Sequence, residues 1–334
     1  MVNFMQKLDK LYSLSKLSPL LYQAIKEFVL REGKRVRPTL FVTGYLGFAK
    51  KIAPQLYTSA LSIELLHDFM LVHDDIIDKS DTRRGKPSLH KLFDNHLSGQ
   101  KEGKFDGKDL AIVAGDVMYA MGLNAFLSIR ENPVRKERAM RKLIEAAIYT
   151  GCGEFIELIY GLKDIDKITK EDIYKIYDYK TANYTFASPL AIGAILGGAS
   201  ESETKKLFQY GIYLGRAFQI KDDILGMFGD EKKIGKSTLT DLQESKKTIL
   251  IWYAYKHCNK KSQMIIKKIL SKDNANLGDL EKIREIITHS GAIDFARKEV
   301  SFSLKEAQDI IASSKIKPLY RAFLKSYSQE ILSL

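Results

Sequence analysis

Carboxylates crowd the end of an apolar helical pattern at His73-Asp74-Asp75-Ile76-Ile77-Asp78, with Asp81 just beyond. At i,i+4 spacing Asp74 and Asp78 share a helix face, where like charges cost roughly a few tenths of a kcal/mol. Acids at a helix C-terminus also oppose its dipole. Something cationic should compensate. Two carboxylates one turn apart suit Mg²⁺, a hard ion that keeps several waters and binds substrate phosphates. Taken alone, the same string also fits a solvated acidic helix end.

A second cluster changes the balance. Gln219-Ile220-Lys221-Asp222-Asp223-Ile224-Leu225-Gly226, followed by Phe228-Gly229-Asp230, again ends an apolar helical pattern with adjacent aspartates. Two such ends facing each other across a cavity would hold metal ions able to neutralise a departing diphosphate, which is a way to ionise a carbon–oxygen bond. Cations occur where the chain leaves helices, at Gly33-Lys34-Arg35-Val36-Arg37-Pro38 and at Arg83-Arg84-Gly85-Lys86. Arginine suits bidentate phosphate contact, although arginines in surface turns are the plain alternative. His67 lies two turns before Asp74 on nearly the same face, and a histidine in an apolar helix is often a satisfied core residue. Lys180 beside Thr181, Lys236 after Gly235, and Lys246 in the run from Asp241 to Thr248 are further basic candidates.

These residues need helices to position them, and helical periodicity runs from end to end, interrupted by only 7 prolines. Asn132-Pro133 reads as N-cap and N1, followed by a stripe of Leu143, Ala147, Ile148, Gly151 and Phe155. Similar stripes cover 55–78, 109–129, 204–225 and 292–312, predicting about a dozen helices. No period-two strand pattern and no repeat is visible, and 95–108 reads as a polar loop. The expected fold is all-α: one domain over residues 1–334, a single large helical bundle around a deep central cavity.

Composition narrows the partners. At 45% apolar and 28% charged residues the chain is neither disordered nor membrane-embedded in character. The apolar stretch 186–199 carries Pro189 and glycines and is too short to span a bilayer, so no transmembrane segment is expected. Cys152 and Cys258 form no CxxC and predict neither a disulfide framework nor a zinc site, which fits a reducing cytoplasm. The formal charge of +12 suits nucleic acid, an anionic membrane or phosphorylated small molecules. The lysine-rich run at 256–272 reads as a solvated face.

The strings GKRVRP, ELLHDFMLVHDDIID, RRGKP, AGDVMYA, YKT, FQIKDDILGMFGD and GK...DL...KKT occur in this order between Gly33 and Thr248. Together they resemble the trans-isoprenyl diphosphate synthases, the farnesyl and geranylgeranyl diphosphate synthases. The resemblance implies that Lys34, Arg37, His67 and Arg84 hold the diphosphate of isopentenyl diphosphate. It assigns Asp74, Asp78 and Asp222 to three Mg²⁺ ions bridged to an allylic diphosphate. Arg83, Lys180, Lys236 and Lys246 would contact that diphosphate, while Thr181 and Gln219 line the reacting carbons. Phe69 and Met70, the latter one turn below Asp74, would limit product length.

The implied reaction joins a dimethylallyl, geranyl or farnesyl diphosphate to isopentenyl diphosphate, giving a C15–C20 product with geranylgeranyl diphosphate favoured. A homodimer with no nucleic-acid partner is implied as well. Two departures stand out. The second cluster reads DDILG, leaving Asp222 as its main ligand, and Ser245 stands where many members have glycine. The rival readings are a terpene cyclase of the same fold, which needs no second diphosphate pocket, and a catalytically silent partner subunit, which would have lost the acidic motifs.

Overall fold

The computed structural model describes residues 1–98, 104–229, 238–272 and 274–332. Seventeen α-helices are present among the described residues, more than the expected dozen because one-turn helices such as Leu14–Leu17 leave no period to detect. The long stripes map onto α5 (Leu56–Ile77), α7 (Gly107–Leu127), α11 (Glu201–Phe228) and α16 (Ala292–Ala312). Asn132 caps α8 (Pro133–Gly161) as read: its side-chain oxygen accepts from the N–H groups of Val134 at 3.1 Å and Arg135 at 3.2 Å. The polar connection predicted at 95–108 begins later, since α6 (Leu89–Leu97) runs past Asn95, and residues 99–103 lie outside the described residues.

The chain forms two compact units, Met1–Val42 with Lys50–Lys136, and Thr43–Ala49 with Glu137–Leu334. In the first unit α5 and α7 pack along their lengths, and Phe28, Leu65, Phe93, Met118 and Ala111 are enclosed around them. Each fully buried Leu or Phe contributes roughly 1.5–3 kcal/mol. By length and composition α7 is apolar enough to cross a membrane, yet Ala111, Ala114, Met118 and Ala125 are buried in this core. The only strands among the described residues are two-residue ones, Thr82–Arg83 and Lys86–Pro87. They pair Arg83 with Lys86 in an antiparallel hairpin. Its turn residues, Arg84 and Gly85, take φ of 54° and 73°, the left-handed pair that matches the twist of a two-residue hairpin.

In the second unit a continuous helix runs from Lys170 to Gly197, and its middle, Tyr177–Ala187, is wound as a π-helix. Such widened turns occur mostly at functional sites. α11 lies against it because Gly211 and Gly215 carry no side chain: a Cβ at Gly215 would fall 2.4 Å from the Ala182 Cα, and one at Gly211 would fall 2.3 Å from the Ala187 Cα. Small residues here set how near Thr181 comes to α11.

Candidate active site

In the first unit the acids of α5 divide by face. Asp75 is fully buried, as are Glu64 and Asp68, while Asp74 is half-buried and Asp78, the C-cap, likewise. The hairpin aims Arg83 at this end. Its Nε donates to Asp75 Oδ1 at 2.8 Å, its Nη2 donates to the same oxygen, and Nη2 stands 3.7 Å from Asp74 Oδ2. Burial raises the Asp75 carboxyl above its ordinary value and the Arg83 hydrogen bond opposes that rise. The hairpin is anchored in turn, since Arg31 donates to the Arg83 carbonyl at 3.1 Å and Lys86 to Glu27 at 2.8 Å.

Three of the four residues expected to form a diphosphate pocket come together around His67. Burial holds its imidazole well below the ordinary histidine value, and Arg37, Arg84, Arg83 and Arg35 add to the effect. The ring is therefore neutral beside a group of arginines, of which Arg35 and Arg84 also face Glu64 and Asp68. Lys34, the fourth, is exposed on the loop before α4 (Val36–Phe48).

Sequence reasoning missed the acids behind this pocket. Arg35 donates to Glu64 at 2.6 Å, and Arg84 lies 3.4 Å from Asp68 and 3.9 Å from Glu64. Burial raises the Asp68 carboxyl to about 7, helped by Glu64 and opposed by Arg84. The available signal was the i,i+4 pair Glu64 and Asp68 inside an otherwise apolar helix. Below Asp74, the Phe69 ring meets His73 edge-on at 4.7 Å and Tyr119 of α7 at 5.4 Å. Met70 is half-buried.

In the second unit Thr181 donates to Gln219 Oε1 at 2.8 Å, and Gln219 Nε2 donates to Asp223 Oδ1 at 3.1 Å. Tyr177 donates to the other Asp223 oxygen and accepts from the Ile249 N–H at 3.0 Å. Burial raises Asp223 to about 7; Tyr177 and Gln219 oppose this, while Asp241 and Asp222 add to it. Asp222 is exposed.

Lys180 is held by Glu154 at 2.6 Å and by Glu157, glutamates of α8 that the sequence reading passed over. Lys246 pairs with Glu244 and lies 3.7 Å from Asp241. Burial would lower its pKa, but Glu157, Asp241 and Glu244 raise it above the ordinary lysine value. Lys236 lies outside the described residues. The serine-for-glycine departure has a structural counterpart: Ser245 has φ 53°, a conformation that favours glycine, and its hydroxyl donates to the Leu270 carbonyl at 2.8 Å.

Among the described residues no three His, Cys, Asp or Glu side chains converge as a metal cage. Each acidic end instead offers outward carboxylates, Asp74 and Asp78 or Asp222. Such a donor set fits an Mg²⁺ ion that completes its shell with water and phosphate oxygen.

A family model described as polyprenyl synthetase matches residues 18–287. The chain is 31% identical over 297 residues to the short chain isoprenyl diphosphate synthase of Methanocaldococcus jannaschii, covering 88% of this chain and 84% of that one. It is 33% identical over 298 residues to the geranylgeranyl diphosphate synthase of Saccharolobus solfataricus, covering 85% and 82%. Among solved structures, the geranylgeranyl pyrophosphate synthase of Corynebacterium glutamicum, complexed with isoprenyl diphosphate and magnesium, is similar with a TM-score of 0.90 and 27% identity, covering 99% of this chain and 96% of that one.

Proposed function

The chain belongs to the polyprenyl synthetase family, and from that premise we propose that it condenses an allylic diphosphate with isopentenyl diphosphate to give a short-chain all-trans prenyl diphosphate and diphosphate. One observation carries the reading: α5 alone bears both kinds of chemistry the reaction needs. His67, ringed by guanidinium groups, suits one diphosphate, and the outward Asp74 and Asp78 two turns on suit the metal that takes the other. A cyclase has no use for the first of these, and a silent subunit has no use for the second.

In this mechanism Lys34, Arg37, His67 and Arg84 hold the diphosphate of isopentenyl diphosphate, and Arg83, Lys180, Lys236 and Lys246 hold that of the allylic substrate. Asp74, Asp78 and Asp222 would hold three Mg²⁺ ions, which when bound supply positive charge against the departing diphosphate. The allylic carbon–oxygen bond breaks with its electrons leaving on oxygen. The double bond of isopentenyl diphosphate then attacks the allylic cation, forming a carbon–carbon bond, and a proton passes from the adjacent carbon to the released diphosphate. Fixed charge and alignment provide most of the acceleration. Thr181 and Gln219 line the cation.

The same reading has two copies of the chain acting as a homodimer in the cytoplasm, without nucleic acid. In the second unit Ile144, Ile148 and Phe155 of α8 are exposed, as are Ile112 and Val113 of α7 in the first. Apolar side chains of this size in solvent support a self-interface. Light scattering should return a dimer mass. Cys152 and Cys258 are free thiols, in keeping with a reducing compartment.

The relatives named as geranylgeranyl diphosphate synthases support a C20 product, and the Phe69 ring beside Tyr119 supports a limit on length. Labelled isopentenyl diphosphate incubated with Mg²⁺ and dimethylallyl, geranyl or farnesyl diphosphate should yield the C20 alcohol after dephosphorylation. Phe69→Ala should shift the product longer. An unextended starter in every incubation refutes the prenyltransferase, and an unaltered product distribution in the variant clears Phe69.

A further inference from the structure

The second unit contains a chain of hydrogen bonds whose buried members, Tyr177 and Asp223, the reaction as described leaves unused. It starts at the Ile249 N–H, the first residue of helix α13 (Ile249–His257), which donates to Tyr177 Oη at 3.0 Å. Tyr177 donates its phenolic hydrogen to Asp223 Oδ2. The other oxygen, Asp223 Oδ1, accepts from Gln219 Nε2 at 3.1 Å, and Gln219 Oε1 accepts from Thr181 Oγ1 at 2.8 Å. Tyr177 and Asp223 are both buried, so neither group has water as an alternative partner, and an interruption would strand polar atoms in the core.

With Asp223 ionised, the direction of every link follows from the two ends. A backbone N–H only donates, so Tyr177 Oη receives from Ile249 and sends its own hydrogen to Asp223. In its ionised form Asp223 only accepts, and the contacts are those of that form: the Gln219 amide nitrogen turns toward Asp223 and its carbonyl oxygen toward Thr181. Thr181 must then donate, and its oxygen is left presenting lone pairs in every other direction. A hydroxyl free to rotate would present hydrogen and lone pairs alike. One locked in this sense offers only negative dipole to a neighbouring positive carbon, already oriented before charge develops.

We propose that Tyr177 and Asp223 are positioning residues that fix Thr181 as a hydrogen-bond donor to Gln219, so that its oxygen faces the allylic cation as an acceptor only. This rests on the prenyltransferase reading and on Thr181 lining the reacting carbons. The same phenol holds the first N–H of α13, whose N-cap is Thr248. It thereby ties the end of the segment carrying Lys246 to Thr181, linking a diphosphate contact with the cation contact inside one unit.

The test is steady-state kinetics of Tyr177→Phe, Thr181→Val and the double variant, with thermal unfolding measured alongside. Tyr177→Phe should lower kcat about 10-fold, the scale of one lost positioning hydrogen bond, with KM for each diphosphate within about twofold of wild type. The double variant should be no slower than Thr181→Val alone, because the phenol acts only through that hydroxyl.

Wild-type kcat in Tyr177→Phe, or losses that simply multiply in the double variant, overturn the proposal. Should Tyr177→Phe not fold, Asp223→Asn breaks the same chain at its acceptor and leaves both the phenol and the two cation-lining side chains in place. It must likewise lose kcat and be insensitive to Thr181→Val, and additivity there overturns the proposal equally. A wild-type enzyme that extends no allylic starter removes the underlying reading. A wild-type enzyme that turns over beside an unimpaired Tyr177→Phe removes only this inference.

Discussion

At the end of α5 Asp75 turns inward and Asp74 outward; at the end of α11 Asp223 is buried and Asp222 exposed. Adjacent residues on a helix differ by about 100°, so an Asp-Asp pair at the edge of a core cannot send both side chains the same way. The compensation differs between the two ends. Asp75 receives a guanidinium, that of Arg83, whereas Asp223 receives the neutral donors Tyr177 and Gln219. Burial raises both carboxyls: Arg83 opposes the rise at Asp75, while at Asp223, raised to about 7, Tyr177 and Gln219 oppose it and Asp241 and Asp222 add to it. In the proposed reading the outward acid of each pair would hold a metal ion and the inward acid is a tether.

The widest contrast should appear in turnover. Asp74→Ala and Asp222→Ala should each lower kcat/KM about a thousandfold or more at saturating Mg²⁺, with helical circular dichroism unchanged. Activity near wild type in either variant would break the assignment of the outward acids. For the inward acid of α5 the effect should fall on stability. Asp75→Ala leaves Arg83 without its buried partner and should cost about 2–3 kcal/mol in denaturant unfolding, below the figure for a fully enclosed pair because Arg83 keeps some solvent contact. No change in unfolding midpoint would make the Arg83–Asp75 pair ornamental.

Asp68 sharpens the comparison through pH. In the folded chain it keeps its proton to about pH 7, whereas an unfolded aspartate loses it near pH 4. The folded state thus binds more protons between those values, and stability falls as pH rises through that window. Relative to Asp68→Asn, the wild type should lose on the order of 2–4 kcal/mol between pH 4 and 7.5. Parallel stability curves would contradict the buried state of that carboxyl.

Helix bounds and the order of the motifs were legible because apolar period and capping are local: Asn132 announces α8, and the apolar run before Asp74 is α5. Long-range partners were not. Nothing near Lys180 in the sequence names Glu154 and Glu157 as its partners, and Arg83 meets Asp75 only because Arg84 and Gly85 reverse the chain in a two-residue turn. The π-helical winding at Tyr177–Ala187 has no distinct apolar period over so short a stretch, so its sequence reads as ordinary helix. Glu64 and Asp68 escaped notice because an acid in an apolar helix normally reads as surface.

Two smaller perturbations probe how the second unit holds its acid. Gly215→Ala forces a Cβ against Ala182 at 2.4 Å and should cost about 1–3 kcal/mol. It should also lower kcat by parting Thr181 from Gln219, whereas a loss of stability alone would separate packing from alignment. Ser245→Gly relieves a left-handed backbone but surrenders the hydroxyl bond to Leu270. The two effects should nearly cancel, leaving unfolding within about 1 kcal/mol of wild type.

The division between outward ligand and inward tether is tested most directly by the Mg²⁺ dependence of turnover in Asp74→Asn and Asp75→Asn measured side by side. Asp74→Asn should raise the half-saturating Mg²⁺ concentration and depress the plateau. Asp75→Asn should leave half-saturation where it is in wild type and lower the melting temperature instead. The opposite pattern, with Mg²⁺ affinity lost through Asp75 and kept through Asp74, would contradict the account.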